Sequence, residues 1–362
     1  MTNTNSTWKE YVSSELKRTQ PLLDELGIEL DDIQVHIQGE RCLLLMDGAD
    51  SRKKLVLIGK ASDGRRVVVK VSSDPEAKKE IKREQKTRKS LDALPFAYNR
   101  FYSPKEIASI EKHDLLVVVT EYISQDKAFL HLDSKEQFFL SMQGLEAQEG
   151  AHATTHEHRK FVQKVFGFTK PSQYIENIEK FKQDCDGEIA SIIDNIHTLF
   201  ESSQDLLHVY GEFLTHDDFV PHNIRVSDGR MYLLDHTALT FGNKYESWAR
   251  LINYMVLFNP ELEKYLLEFV EKNRAKSEYK TLKLMRLYKI AYLLAYYSRA
   301  EKVTTGDHQE LTRARIRLWS YIAANVLADT QYDPARIIEH KKLRDRLRSE
   351  EEIERQKELG QL

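Results

Sequence analysis

The stretch THDDFVPHNIRV, residues 215–226, crowds His216, Asp217, Asp218 and His222 around Asn223. The segment immediately after it decides the reading. Those residues, SDGRMYLLD, carry a Ser227-Asp228-Gly229 turn signal between two short apolar runs, the pattern of a β-hairpin. Ile224 and Val226 alternate on one side of that turn, Met231 and Leu233 on the other. Antiparallel pairing then puts Asn223, at the start of the first strand, nearly opposite Asp235, at the end of the second, within roughly 5 Å at the backbone. Asp218 enters the same hairpin five residues before Asn223. Three oxygen-bearing side chains are thereby gathered in one place.

Two carboxylates and an amide suit a hard cation such as Mg2+, which keeps some of its waters and shares itself with substrate phosphates. Asn223 and Asp235 form such an open pair. Asp218 is then placed to orient a hydroxyl or take its proton, as phosphoryl transfer requires. A rival reading uses His216, Asp218, His222 and His236 as imidazole-rich ligands for zinc or iron. It leaves Asn223 unexplained.

The rest of the chain supplies context. It has 362 residues, 41% of them apolar and 31% charged, with a formal net charge of -3. That length suits two lobes sharing a cleft. Gly (14) and Pro (8) are scarce, which favours a helix-rich chain. The two cysteines, Cys42 and Cys185, lie far apart and form no disulfide framework, so a reducing, cytoplasmic setting is expected. The N-terminus, MTNTNSTWKEYVSSEL, lacks a basic start before an apolar core, so no signal peptide is expected. No apolar run approaches the roughly 18 residues of a membrane span. The weak negative charge argues against a nucleic-acid binder. Residues 124–260 hold 20 acids against 12 bases, a balance that would suit a cationic substrate but is more commonly a solvated surface.

Residues 6–26 have helical spacing. From 33 to 72 the pattern becomes short strands, HIQGERCLLLM, KKLVLIGK and RRVVVKVS, the last two joined at Ser62-Asp63-Gly64. A helix comes next, with Asp74 as N-cap and Pro75 in the first turn. Another strand, DLLVVVTEY, spans 114–122. After Ser124 the chain reads as helices, over 133–166, 173–204, 246–258, 260–274, 277–300 and 308–328, interrupted only by the hairpin. The expected organisation is an N-terminal helical extension (1–32), a strand-rich lobe (33–123), a helical lobe that carries residues 215–226 (124–334) and a charged terminal helix (335–362).

Asp218-Phe-Val-Pro221-His-Asn223-Ile224, then a short hairpin and Leu-Leu-Asp235, resembles the catalytic region of the aminoglycoside phosphotransferase and choline kinase-like family. The spacing His216-x-Asp218, four residues, Asn223 is also that of kinase catalytic loops. The resemblance runs in motif order over about residues 40–260. It implies an α+β, protein kinase-like two-lobe fold, with ATP and Mg2+ as cofactors and a small-molecule hydroxyl as acceptor. It also implies Asp218 as the catalytic residue, with Asn223 and Asp235 on the metal. Lys70 in VVVKV would anchor phosphates, held by Glu84 or, one turn earlier, Glu80. Ser51, in the Gly-poor loop MDGADSRKK, would cover the phosphates, and the backbone of Glu121 and Ile123 would meet the adenine. An amino sugar, aminoglycoside or choline-like alcohol is the expected acceptor, and a monomer or dimer the expected state. A nucleotide-binding pseudokinase is the alternative. Three departures stand out: Asp217 replaces a small residue, His236-Thr237 follow Asp235, and the phosphate loop holds only Gly48.

Overall fold

The computed structural model describes residues 8–32, 34, 53–94, 102–125, 127–158, 162, 164–228, 230–348 and 353. Ser51, Cys42, Gly48 and the strand expected over HIQGERCLLLM lie outside the described residues.

The chain begins with helix α1 (Trp8–Leu26) and strand β1 (Ile28–Leu30). Strands β2 (Leu55–Ala61), β3 (Arg66–Ser72), β4 (Glu106–Lys112) and β5 (Leu115–Glu121) complete an antiparallel sheet of order β1-β2-β3-β5-β4. Alternation along β3 explains its two faces. Val67, Val69 and Val71 are fully buried and pack with Val12, Leu22 and Leu23 of α1. Lys70 therefore projects from the other face. The β2–β3 turn lies where the sequence signals it, with Gly64 at φ +83°. Helix α2 (Pro75–Asp92) starts as expected, Asp74 accepting from the Ala77 N–H at 2.8 Å. β4 was not expected: EIASIEK is a half-exposed edge strand without an apolar run.

The C-terminal part contains helices α3 (Ser134–Glu157), α4 (Pro171–Lys182), α5 (Gly187–Glu201), α6 (Gln204–Val209), α7 (Glu246–Phe258), α8 (Pro260–Asn273), α9 (Lys276–Val303), α10 (Gly306–Ala328) and α11 (Pro334–Leu347). Two expectations need correction. The helix expected over 173–204 is three helices, and the first break ends at Gly187, whose φ of +57° lies in the left-handed region. A three-stranded sheet was also missed: β6 (Gly167–Phe168), β10 (Leu239–Gly242) and β7 (Phe213–His216), in that order. These strands are too short to show a period. The expected hairpin is present as β8 (Ile224–Ser227) and β9 (Arg230–Leu233), with Ile224 opposite Leu233. One apolar core runs beneath the hairpin and the helices, including Phe219, Val220, Trp248 and Met255. No described helix is long and apolar enough to cross a membrane.

Candidate active site

The loop that carries Asp218 is pinned at both ends. Leu239 of β10 pairs with His216 at the end of β7, and the Asp217 N–H donates to the Ala238 carbonyl at 2.8 Å. The His216 N–H donates to Gln148 Oε1 (3.1 Å) and Ser247 Oγ (2.9 Å). The His216 ring is buried, and its Nε2 faces the carbonyls of Leu234 (3.3 Å) and Asp235 (3.1 Å). This imidazole braces the backbone that presents Asp235. After the loop, a single turn, Pro221–Asn223, leads into β8.

Asn223 and Asp235 meet through the hairpin. The Leu234 N–H donates to the Asn223 carbonyl at 2.8 Å, so Asp235 lies one residue beyond the direct partner. Its φ of +51° is left-handed, a region that Asp tolerates better than most residues. Asn223 Nδ2 donates to the Asp218 carbonyl and to Asp218 Oδ2, both at 3.0 Å. That commits the amide nitrogen to Asp218 and leaves Asn223 Oδ1 as a bare acceptor. Asp235 Oδ1 accepts from the Thr237 hydroxyl. Asn223 Oδ1 and the second carboxylate oxygen of Asp235, which accept from no donor among the described residues, fit a hard cation. The imidazoles do not converge: His216 serves backbone carbonyls, and His236 is buried beside Glu84 and Arg88. Among the described residues, no group of three or more His, Cys, Asp or Glu could hold a metal.

Asp218 is gripped from two sides. Arg250 of α7 reaches Oδ1 through Nε at 2.9 Å and Nη2 at 2.8 Å, while Asn223 holds Oδ2. Burial pushes its carboxyl upward, but Arg250, followed by His222 and His216, outweighs that and holds it well below the usual carboxylate range.

Lys70 Nζ donates to Glu84 Oε2 at 2.6 Å, and Arg88 Nη2 to Glu84 Oε1 at 2.8 Å. Glu80 instead faces Lys54 at 3.6 Å. Burial would raise the Glu84 carboxyl, but Lys70 and Arg88 bring it down to about 2. At the end of β5, the Glu121 N–H is taken by the Lys105 carbonyl at 2.9 Å. Ile123 follows outside the strand.

A cavity of about 670 Å³ opens beside Asp218, within the size range of small-molecule sites. Asp217, Arg250, Lys289, Tyr288 and Tyr292 line it together with Asp218. Its floor explains the unusual Asp217. Lys289 of α9 binds Asp217 Oδ1 and, at 2.8 Å, Glu246 Oε2. Burial opposes the charge on Lys289, but the two carboxylates outweigh it and raise its pKa. Sequence reasoning missed Arg250, Glu246 and Lys289. Lys289 did leave a signal, as a lone cation entering the apolar run KIAYLLAYY.

The solved structures similar to this chain include a ternary complex of aminoglycoside phosphotransferase APH(4)-Ia with AMP-PNP and hygromycin B. It has a TM-score of 0.57 at 15% identity, over 84% of this chain and 98% of that one. The chain has the protein kinase-like fold. Choline kinase LicA from Streptococcus pneumoniae has the same kinase-like fold, with a TM-score of 0.53 at 15% identity, over 88% of this chain and 99% of that one. So does amicoumacin kinase hAmiN in complex with AMP-PNP, Ca2+ and Ami, with a TM-score of 0.55 at 12% identity, over 91% of this chain and all of the other. No protein-family model and no curated protein matches the sequence. At such identities the likeness establishes the kinase-like fold, and activity rests on the site itself.

Proposed function

We propose that this protein is an ATP-dependent phosphotransferase that moves the γ-phosphate to a hydroxyl of a small molecule. One observation carries the reading. Asn223 spends its amide nitrogen on Asp218 and keeps its oxygen for a cation beside Asp235, so the base and the metal ligands form one connected unit, with Asp218 on the cavity. Asn223 and Asp235 would hold Mg2+, which would supply positive charge to the transferring phosphate. Lys70, fixed by Glu84, anchors the phosphates. The backbone near Glu121 and Ile123 receives the adenine; Ser51, outside the described residues, would cover the phosphates. The acceptor oxygen attacks the γ-phosphorus, the bond to the β-phosphate oxygen breaks, ADP leaves, and the hydroxyl proton passes to Asp218. The acceptor lies in the cavity beside Asp218, where the Tyr288 and Tyr292 rings and the outer oxygen of Asp217 suit an amino sugar, aminoglycoside or choline-like alcohol.

A nucleotide-binding pseudokinase is the second reading. The grip of Arg250 on Asp218 favours it, because a carboxylate with both oxygens engaged must release one to meet a hydroxyl. ADP release, screened over amino sugars, aminoglycosides, choline-like alcohols, nucleosides and sugars, separates the two. Acceptor-dependent release that disappears in Asp218→Asn supports transfer. AMP-PNP binding with no acceptor-dependent release supports the pseudokinase.

A further inference from the structure

A second cavity, about 460 Å³, lies between the C-terminal half of α2, the start of β4 and the turn after Asp235. Arg88 lines it. Only 5% of the Arg88 side chain is exposed. Its Nη2 binds Glu84, but its Nε and Nη1 are buried with no hydrogen-bond partner among the described residues. Leaving the donors of a buried cation unsatisfied is costly, so these two nitrogens call for a ligand.

The surroundings favour an anion. Lys89 and Lys105 line the same cavity, as do Tyr102 and Ser103, which bring hydroxyls. Glu106, also in the lining, is already engaged by Lys89 at 3.4 Å and by Gln85 at 2.9 Å. Asp92 is the other acid there. Behind these residues, Glu84 is the one carboxylate among the described residues that pairs with both Lys70 and Arg88. Two cations on one carboxylate leave this cluster one negative charge short. Water could satisfy an N–H but would not supply that charge.

We propose that this cavity is a regulatory site for a small oxyanion, a carboxylate or a phosphate group, bound by Arg88. The occupant and the nucleotide phosphates are drawn to the same surplus positive charge, one through Arg88 and the other through Lys70. Filling either place weakens the attraction of the other, and by linkage the effect is reciprocal. The anion thus lowers nucleotide affinity from outside the nucleotide cleft. This coupling rests on Lys70 serving as the phosphate anchor; the binding site itself does not.

The test uses the full chain, with inorganic phosphate and acetate as probes and ionic strength held constant. Calorimetry on the nucleotide-free protein reads binding directly, and the two probes distinguish a phosphate site from a carboxylate site. AMP-PNP affinity is then measured as the probe that binds is raised. The expected result is a loss of AMP-PNP affinity that levels off at about fivefold, the plateau of a coupled second site. Arg88→Met should abolish the plateau and weaken the probe by about tenfold or more. Lys105→Met, which leaves Glu84 and its partners intact, should weaken the probe about threefold, the worth of one exposed charge, and leave AMP-PNP affinity in its absence unchanged. If neither probe binds, or both variants bind it like the parent, the proposal is overturned. A loss of AMP-PNP affinity that never levels off marks direct competition in the cleft and overturns it too. If AMP-PNP itself fails to bind, the nucleotide reading fails, while calorimetry with Lys105→Met still decides the cavity.

Discussion

Arg250 and Asp218 form a two-pronged contact, with Nε at 2.9 Å and Nη2 at 2.8 Å from the same oxygen, Oδ1. The arginine fixes the carboxylate's orientation and keeps it ionised. On the proposed reading it also occupies an oxygen that an incoming hydroxyl would meet. Arg250→Met should therefore lower kcat while leaving AMP-PNP affinity within about twofold. Asp218→Asn should cost more, about 10³-fold in kcat, in the range of general-base removal. Steady-state kinetics on the acceptor found by the ADP-release screen, with parallel AMP-PNP titrations, checks both. Full activity in Asp218→Asn would show that the base has been misassigned.

Asn223 and Asp235 differ in what else they do. Asn223 also donates to Asp218, whereas among the described residues Thr237 is the donor on the Asp235 carboxylate. Asp235→Asn should raise the Mg2+ concentration for half-maximal activity by about tenfold or more, because a charged ligand is lost. Asn223→Ala should raise it too, and should also lower kcat at saturating Mg2+. Mg2+ titrations of the two variants read the difference. Equal Mg2+ requirements in parent and Asp235→Asn would remove Asp235 from the metal site.

Glu84 gives the fold a pH dependence. Its carboxyl is lowered from an ordinary 4.5 to about 2 by Lys70 and Arg88 acting against burial. A depressed folded pKa stabilises the protein above the unfolded value. That contribution is fully present above about pH 5 and is lost as pH falls from about 4.5 toward 2. At 1.4 kcal/mol per pH unit, it is on the order of 3 kcal/mol. Urea melts of Glu84→Gln and the parent should differ most near neutral pH and converge as pH drops through that window. A constant gap would mean that the pair does not respond to protonation of Glu84.

The sequence made some of this legible and hid the rest, for identifiable reasons. Residues joined by a short chain segment could be brought together from the sequence. Asn223 and Asp235 are joined by one hairpin, and Lys70 and Glu84 lie on a strand and the helix that follows it. Edge strand β4 and the two- to four-residue strands β6, β7 and β10 could not be placed, because they are held by partners distant in sequence rather than by an apolar period. The same limit concealed Arg250 and Lys289. Each is one charge on a long helix, and only tertiary packing brings it to the loop of Asp217 and Asp218. The motif marked Asp217 as a departure, and its compensating cation lies 72 residues further along the chain.

That compensation can be tested by a double-mutant cycle. Lys289 is 10% exposed and serves two carboxylates, of which Glu246 is 4% exposed and Asp217 54%. Removing the lysine leaves buried Glu246 with its donors Tyr174 and Asn243 but no cation, so Lys289→Met should destabilise by roughly 3 kcal/mol. Asp217→Gly leaves Lys289 with Glu246 and removes only a solvent-screened partner. It should cost under about 1 kcal/mol as an ion pair. In the double variant, Glu246 no longer faces a second acid, so the combined loss should be smaller than the sum of the single losses, with a coupling of about 1 kcal/mol. Urea unfolding of the four proteins at neutral pH measures each corner. Strict additivity would mean that Asp217 and Lys289 do not act together, and Asp217 would then remain without a structural reason.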